Sequence, residues 1–345
     1  MKNFKKFKSK ITCNMRVLVL LVCVSLIGMQ SCSKKEKIAD DDYIVKIGYG
    51  SSASLCTAPL FIAAEKGFYT EEGLKYEMLK IDTSQIPQLL TTGVIDATNM
   101  LLASMIQPLV NGLDAKIPLA FHTGCIKVLA APLSEIKTPA DLKGKRIGVP
   151  GMGSPPTIII QRYLEALGIG TVLPNMEVEF IVFPKPELPL ALDKGQIDAF
   201  GVDDPIGYMT AAAGKTVVID TTTDPTMKDE FCCVLFTSSN LIKDHPASSV
   251  KLTRALQKAS LWLSQNPDEC AQILSDKGYV AGDPVINGQV LATYDWHSSV
   301  SGAKTALLNN LTDLQKLKLV DSDVDIQSVT DRTFVALEGV PDSLK

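Results

Sequence analysis

One five-residue phrase, Gly-x-Ile-Asp-Ala, is written twice: at residues 93–97 in LTTGVIDAT and at residues 195–199 in LDKGQIDAF. Each copy follows a helix-like run and opens an apolar one. A glycine just past the last helical turn reaches the left-handed conformation that ends a helix, and the isoleucine then starts a strand with its side chain in the core. A helix-to-strand joint used twice implies two α/β units built by the same rule. Asp96 and Asp198 belong to that joint and are not expected to act on a ligand. No repeat of solenoid period accompanies the echo.

The flanking segments agree. From Tyr43 the chain alternates strand-like runs (YIVKIGY, LKYEMLKI, VIDATNM, KIPLAFH, IKVLAAP) with helix-like ones such as PLFIAAEK, SQIPQLLTTG and SMIQPLVNG. A second alternating series starts at Thr138, which can cap a short helix with Pro139 at its first position and Gly144 at its end. This βαβα order argues for mostly parallel sheets flanked by helices. A chain of 345 residues is long enough for two such units. From Leu241 helices take over; Leu252, Ala255, Leu256, Ala259 and Leu263 recur at helical spacing, and Cys270 joins an apolar face with Ala271 and Leu274.

The first 31 residues stand apart. Lys2, Lys5, Lys6, Lys8, Lys10 and Arg16 precede an apolar run at residues 17–27, too short to span a bilayer but suited to a signal peptide. Ser31 followed by Cys32 resembles a lipoprotein signal, although Met29 and Gln30 stand where a leucine and a small residue are usual. We expect a lipid on Cys32 and a polar tether over residues 32–42, with an ordinary signal peptide as the alternative. Of the 34 Lys and Arg residues six lie in this leader, so 28 face 38 acidic ones, a net charge of −10. That sign excludes nucleic acid as a partner. Beyond Cys32 five cysteines remain: Cys56, Cys125, Cys232, Cys233 and Cys270. An odd set cannot pair completely within one chain, and no C-x-x-C occurs, so no metal site of the usual spacing and no cofactor are expected.

Five pieces occur in an order that resembles the substrate-binding proteins of ABC importers for nitrate, taurine, alkanesulfonates and related ligands. They are APLFIAAEKGFYTEEGLKYEM, LLTTGVIDA, TPADLKGKRIGVPGMGS, LALDKGQIDAFGVDDPIGYM and HPASSVKLTRALQKASLWLSQNPDECA. The superfamily also contains thiamine-pyrimidine synthases. The resemblance implies a two-lobed type II periplasmic-binding-protein fold with two mixed or parallel sheets. Lobe 1 would hold residues 43–137 and 232–345, the helical C-terminal tail included, and lobe 2 residues 138–231. Hinge crossings would fall near 131–137 and 232–238. It further implies an exported, monomeric, lipid-anchored receptor that is not an enzyme. Such a receptor captures a small polar ligand and hands it to a permease with its ATPase. The alternative is a binder of thiamine-pyrimidine precursors, or a synthase-like enzyme, on the same fold; FCCVLF only faintly echoes the cysteine-rich stretch of those enzymes.

In such sheets ligands sit at the carboxyl ends of strands, beside helix N-termini that favour anions. Candidate ligand contacts follow from this placement. Ser51 and Ser52 follow the first strand, where helix capping is an equal reading. Gly153, Ser154 and Thr157 occupy a Gly-rich loop and helix start, though Ser154 also suits an N-cap. Asn99 follows the first copy of the echo. Asp203 and Asp204 follow the second, and two carboxylates would favour an amine or ring N–H over a bare anion. His122 and Thr123 end another strand. Cys125 with Cys232 or Cys233 as a disulfide, or with His122 as a metal site, is a further possibility.

Overall fold

The computed structural model describes residues 42–50 and 54–344. The leader, Cys32, and Ser51 and Ser52 lie outside them. Among the described residues ten strands form two five-stranded sheets. The first sheet contains β1 (Ile44–Gly50), β2 (Lys75–Ile81), β3 (Ala97–Leu101), β4 (Ala115–Thr123) and β10 (Phe231–Ser238), in the order β2-β1-β3-β10-β4. The second contains β5 (Ile126–Ala130), β6 (Arg146–Val149), β7 (Glu179–Val182), β8 (Ala199–Asp203) and β9 (Thr216–Asp220), in the order β7-β6-β8-β5-β9.

The sheets follow one plan. Three parallel strands joined by helical crossovers are followed by one antiparallel strand: β10 beside β3 and β4, β5 beside β8 and β9. In each sheet the antiparallel member is a strand next to a passage between sheets. The chain leaves the first sheet between Thr123 and Ile126 and re-enters it between Asp220 and Phe231. Both passages precede the segments 131–137 and 232–238 expected from the sequence. IKVLAAP carries no local mark of which sheet it joins, and FCCVLF, read as a crossing, is a central strand. The two passages touch: a Cβ on Gly124 (φ +69°) would stand 2.6 Å from Thr222 Cγ2 and 2.8 Å from its Cα.

The repeated phrase performs one job twice. Gly93 (φ +69°) and Gly195 (φ +66°) end their helices in the left-handed region. Asp96 accepts from the Lys46 backbone N–H at 2.8 Å and from the Tyr43 hydroxyl at 2.9 Å. Asp198 accepts from the Arg146 backbone N–H at 2.8 Å and from its guanidinium at 2.7 Å. Each aspartate thereby clamps the start of the neighbouring parallel strand. Each isoleucine covers a glycine of that strand: Ile95 lies over Gly48 and Ile197 over Gly148.

The C-terminal helices pack on the first sheet and its helices. Pro246–Gln265 buries Leu252, Ala255, Leu256, Ala259 and Leu263 against the helix Ala58–Glu65, and Val300–Lys316 lies on β4. Cys270, Ala271 and Leu274 are buried as their spacing requires. No helix of the described residues is long and apolar enough to cross a membrane.

Candidate functional site

A cavity of about 180 Å³ opens between the sheets at the carboxyl ends of β1, β3 and β8. The first sheet supplies Gly50, Thr98, Asn99, Met100 and Leu101, with Ser54, Cys56 and Thr57 from the turn after β1; the other wall brings Lys185 and Asp203. This is where open α/β sheets leave strand ends and helix starts unoccupied by their own ladder.

Hydrogen bonding determines what the cavity offers. The Asn99 amide donates to the Cys56 carbonyl at 2.7 Å, while its Oδ1 is buried without a partner. Thr98 gives its hydroxyl proton to the Gly48 carbonyl, and Thr57 gives its own to the Ser54 carbonyl. These groups therefore present lone pairs. Lys185 is the charged donor: its Nζ lies 2.6 Å from Asp203 Oδ1 and 2.8 Å from Oδ2. The pair is half-exposed on the lysine side, so solvent screens it and leaves the ammonium able to turn to a ligand. Among its described residues the cavity thus combines one cation with several acceptors, and can hold a ligand carrying both an anionic group and an N–H or O–H.

Asp204 points elsewhere. It is 1% exposed and accepts from Lys127 Nζ at 3.2 Å, from the Tyr208 backbone N–H at 2.7 Å and from the Tyr294 hydroxyl at 3.4 Å. Burial pushes its carboxyl up to about 6 despite the Lys127 charge. Burial works against the Lys127 ammonium too, but Asp204 and Asp220 outweigh it and raise its pKa. This ion pair joins the second sheet to Tyr294 of the C-terminal region.

Beside the cavity lies a largely buried cluster of thiols around one imidazole. The register of β10 sets Cys233 opposite His122 on β4 and Leu101 on β3. A bulge at that point breaks the alternation of faces, and both Cys232 and Cys233 reach the cluster, their sulfurs 3.7 Å apart. Cys125 Sγ is 3.4 Å from Cys232 Sγ, and Cys232 donates to the Gly124 carbonyl. The His122 ring is fully buried and stacks on Tyr294 (4.8 Å, 6°) and against Trp296 (4.5 Å). Hydrogen bonds from Cys125 and then Cys233 hold the Cys56 thiol well below the usual thiol range, whereas burial pushes Cys232 and Cys233 well above it. All five cysteines of the described residues are free thiols.

The candidates from the sequence thus separate. Asn99 and Asp203 line the cavity together. His122 and Cys125 join the thiol cluster, and Asp204 the buried ion pair. Thr123 is buried with its backbone N–H on the Asp295 carbonyl at 3.2 Å. Ser154 starts the helix Pro155–Ala166, its hydroxyl 2.9 Å from that of Thr157, and Thr157 donates to the Gly151 carbonyl at 2.6 Å; with Gly153 they stand away from the cavity wall. The sequence alone does not mark Cys56, Lys127, Lys185 or Tyr294 as site residues. Lys185 follows a strand end, so the carboxyl-end rule reaches it. Cys56 and Tyr294 carry no local signal, because their partners are distant in sequence.

A protein-family model described as the NMT1-like family matches residues 40–275. The chain is 23% identical to a putative aliphatic sulfonates-binding protein of Bacillus subtilis, over 92% of this chain and 95% of that one. It is also 23% identical to a nitrate/nitrite binding protein of Synechococcus elongatus, over 64% of this chain but only 56% of that longer relative. Among solved structures, the periplasmic aliphatic sulphonate binding protein of Escherichia coli superposes with a TM-score of 0.66 at 17% identity, over 83% of this chain and 96% of that one. At that identity the likeness shows the fold, a two-sheet periplasmic binding protein.

Proposed function

The chain belongs to the NMT1-like family, and from that premise we propose that it is the solute-binding component of an ABC importer, a receptor without catalysis. The observation that carries this reading is the cavity walled by Asn99 and Cys56 on one side and by Lys185 and Asp203 on the other. A ligand there touches both walls. Its binding therefore favours the arrangement in which they approach, and the passages at 124–125 and 221–230 supply the hinge. The units that move would then be lobes of residues 43–123 with 231–345, and 126–220, the first boundary earlier than the 137/138 expected from the resemblance because β5 joins the second sheet.

The ligand class is a small polar solute of the sulfonate, nitrate or bicarbonate kind that the relatives' names describe. The unpartnered Asn99 Oδ1 and the Asp203 carboxylate favour a member bearing a donor, such as an aminosulfonate whose anionic end meets Lys185. The same acceptors support a second reading, a pyrimidine ring N–H. We further propose export, a lipid on Cys32 that holds a monomer at the membrane, and delivery to a permease with its ATPase. These proposals rest on the leader sequence and on the relatives.

Thermal-shift screening of the chain from Cys32 onward against aminosulfonates, alkanesulfonates, nitrate, bicarbonate and pyrimidines tests the reading. A ligand at about 100 times its Kd adds about 2.7 kcal/mol to stability. No shift across the panel, with no compaction by small-angle scattering, would count against the receptor.

A further inference from the structure

Five side chains of metal-ligating type, Cys56, His122, Cys125, Cys232 and Cys233, converge beside the cleft from three separate stretches of chain, and the receptor reading gives their thiols and imidazole no chemical role. The ligand atoms of Cys56, His122 and Cys233 all lie within 4.8 Å of one another, and all three residues are buried. Cys232 Sγ stands 3.7 Å from Cys233 Sγ and 3.6 Å from His122 Nδ1. Two sulfurs on a tetrahedral cation with bonds of about 2.3 Å are about 3.8 Å apart. Cys232 and Cys233 already stand near that separation, and Cys56 lies within 4.8 Å of Cys233. The imidazole stacks on Tyr294 and against Trp296, and its nitrogens meet the thiol of Cys232 and, at 3.4 Å, the backbone carbonyl of Thr123. Free thiols also pack as small apolar groups, but four of them gathered around the nitrogens of one buried imidazole form a donor set that packing alone does not call for.

We propose that this cluster binds one thiophilic d10 cation, Zn(II) or Cu(I), through Cys56, Cys232, Cys233 and His122, with Cys125 beside them. Three thiolates and an imidazole form a ligand set suited to both ions. Each ligating thiol gives up its proton on binding, so uptake releases protons to solvent. Cys56 and Cys233 also line the cleft, which supplies the entry path. His122 and the Cys232–Cys233 pair sit on the neighbouring strands β4 and β10 and Cys56 on the turn after β1, so the cation would tie three stretches of the first sheet's unit together where the chain leaves it and returns to it. The site stands whether or not the cleft serves an importer.

The test is a titration of the reduced chain, from Cys32 onward, with Zn(II) and separately with Cu(I), each against a chelator of known affinity. Metal retained after desalting is measured by mass spectrometry, and Co(II) serves as the spectroscopic stand-in. We expect one equivalent retained, a thiolate-to-Co(II) charge-transfer band, and a higher affinity for one of the two ions that names it. Cys233→Ser should weaken binding at least about tenfold, while Cys270→Ser, which lies on the helix Pro267–Asp276 outside the cluster, should leave it unchanged. His122→Gln provides a second variant if Cys233→Ser does not melt cooperatively. Retention of neither ion by the reduced wild-type chain, or equal retention by Cys233→Ser and His122→Gln, overturns the proposal. So does a Cys125–Cys232 disulfide, mapped by peptide mass, in exported protein that carries no metal.

Discussion

The repeated phrase makes a stability prediction that can be worked from distances. In Gly148→Ala the new Cβ would stand 2.5 Å from Ile197 Cδ1, 2.8 Å from Leu188 Cδ2 and 3.2 Å from Phe200 Cβ. Ordinary carbon contacts begin near 3.5 Å, so the two methyls must retreat by roughly 1 Å and 0.7 Å. Ile197 and Leu188 are 1% and 0% exposed, and neither has open solvent to retreat into. Overpacking of this kind costs about 1–3 kcal/mol. The alanine returns about 0.4–1 kcal/mol by restricting the unfolded chain. A net loss of about 1–2 kcal/mol is expected. Ile197→Val removes the offending methyl and by itself costs about 1 kcal/mol. In that background Gly148→Ala should cost about 1 kcal/mol less, because the closest overlap is gone while those with Leu188 and Phe200 remain, giving a coupling of about 1 kcal/mol. Urea titration followed by circular dichroism, with a shared m-value across the four proteins, measures the cycle. Strict additivity, or a Gly148→Ala chain as stable as the parent, would refute the claim that isoleucine in the phrase exists to cover the neighbouring strand's glycine.

Other outcomes follow from the site. Asp204 titrates near 6 in the fold against about 3.9 unfolded. Its raised value therefore adds stability that is complete below about pH 4 and is lost as pH rises through 6, some 3 kcal/mol on the linkage scale. The melting temperature of the parent minus that of Asp204→Asn should fall across that window, and a flat difference would sink the assignment. Lys185→Met should weaken an anionic ligand about tenfold or more, by about 1.5 kcal/mol, with little change in melting since the lysine is half-exposed; isothermal titration decides. Arg162 bonds Glu230 through both terminal nitrogens at 2.8 Å and Asp313 through Nε at 3.0 Å, joining the second sheet's helix to the returning passage and the C-terminal tail. Arg162→Met leaves two half-buried carboxylates uncompensated and should cost about 2–3 kcal/mol in chemical denaturation, below the full figure for a buried pair because Asp313 is 30% exposed.

Much of the architecture is local information. Gly93 and Gly195 stop helices, Ile95 and Ile197 start strands, and the heptad-like spacing in the helix Pro246–Gln265 declares its buried face, all within a few residues of chain. Such signals made the two α/β units and the helical tail legible, because backbone conformation and periodicity act over short range. The cavity was half legible for the same reason: Asn99 lies in β3 and Asp203 ends β8, toward the carboxyl edge where topology places ligands. What the sequence could not show was which strand enters which sheet. β5 and β10 are apolar runs like any others, and only the pairing of β5 with β8 and of β10 with β3 and β4 shows where the chain crosses. That pairing, with its bulge at Cys232 and Cys233, brings His122, Cys125 and Cys56 into one buried space. It also carries Asp204 away from the cavity wall to Lys127 and Tyr294. Contacts between residues so distant in sequence are set by packing of the whole chain, so the thiol cluster and the buried ion pair belong to the tertiary structure alone.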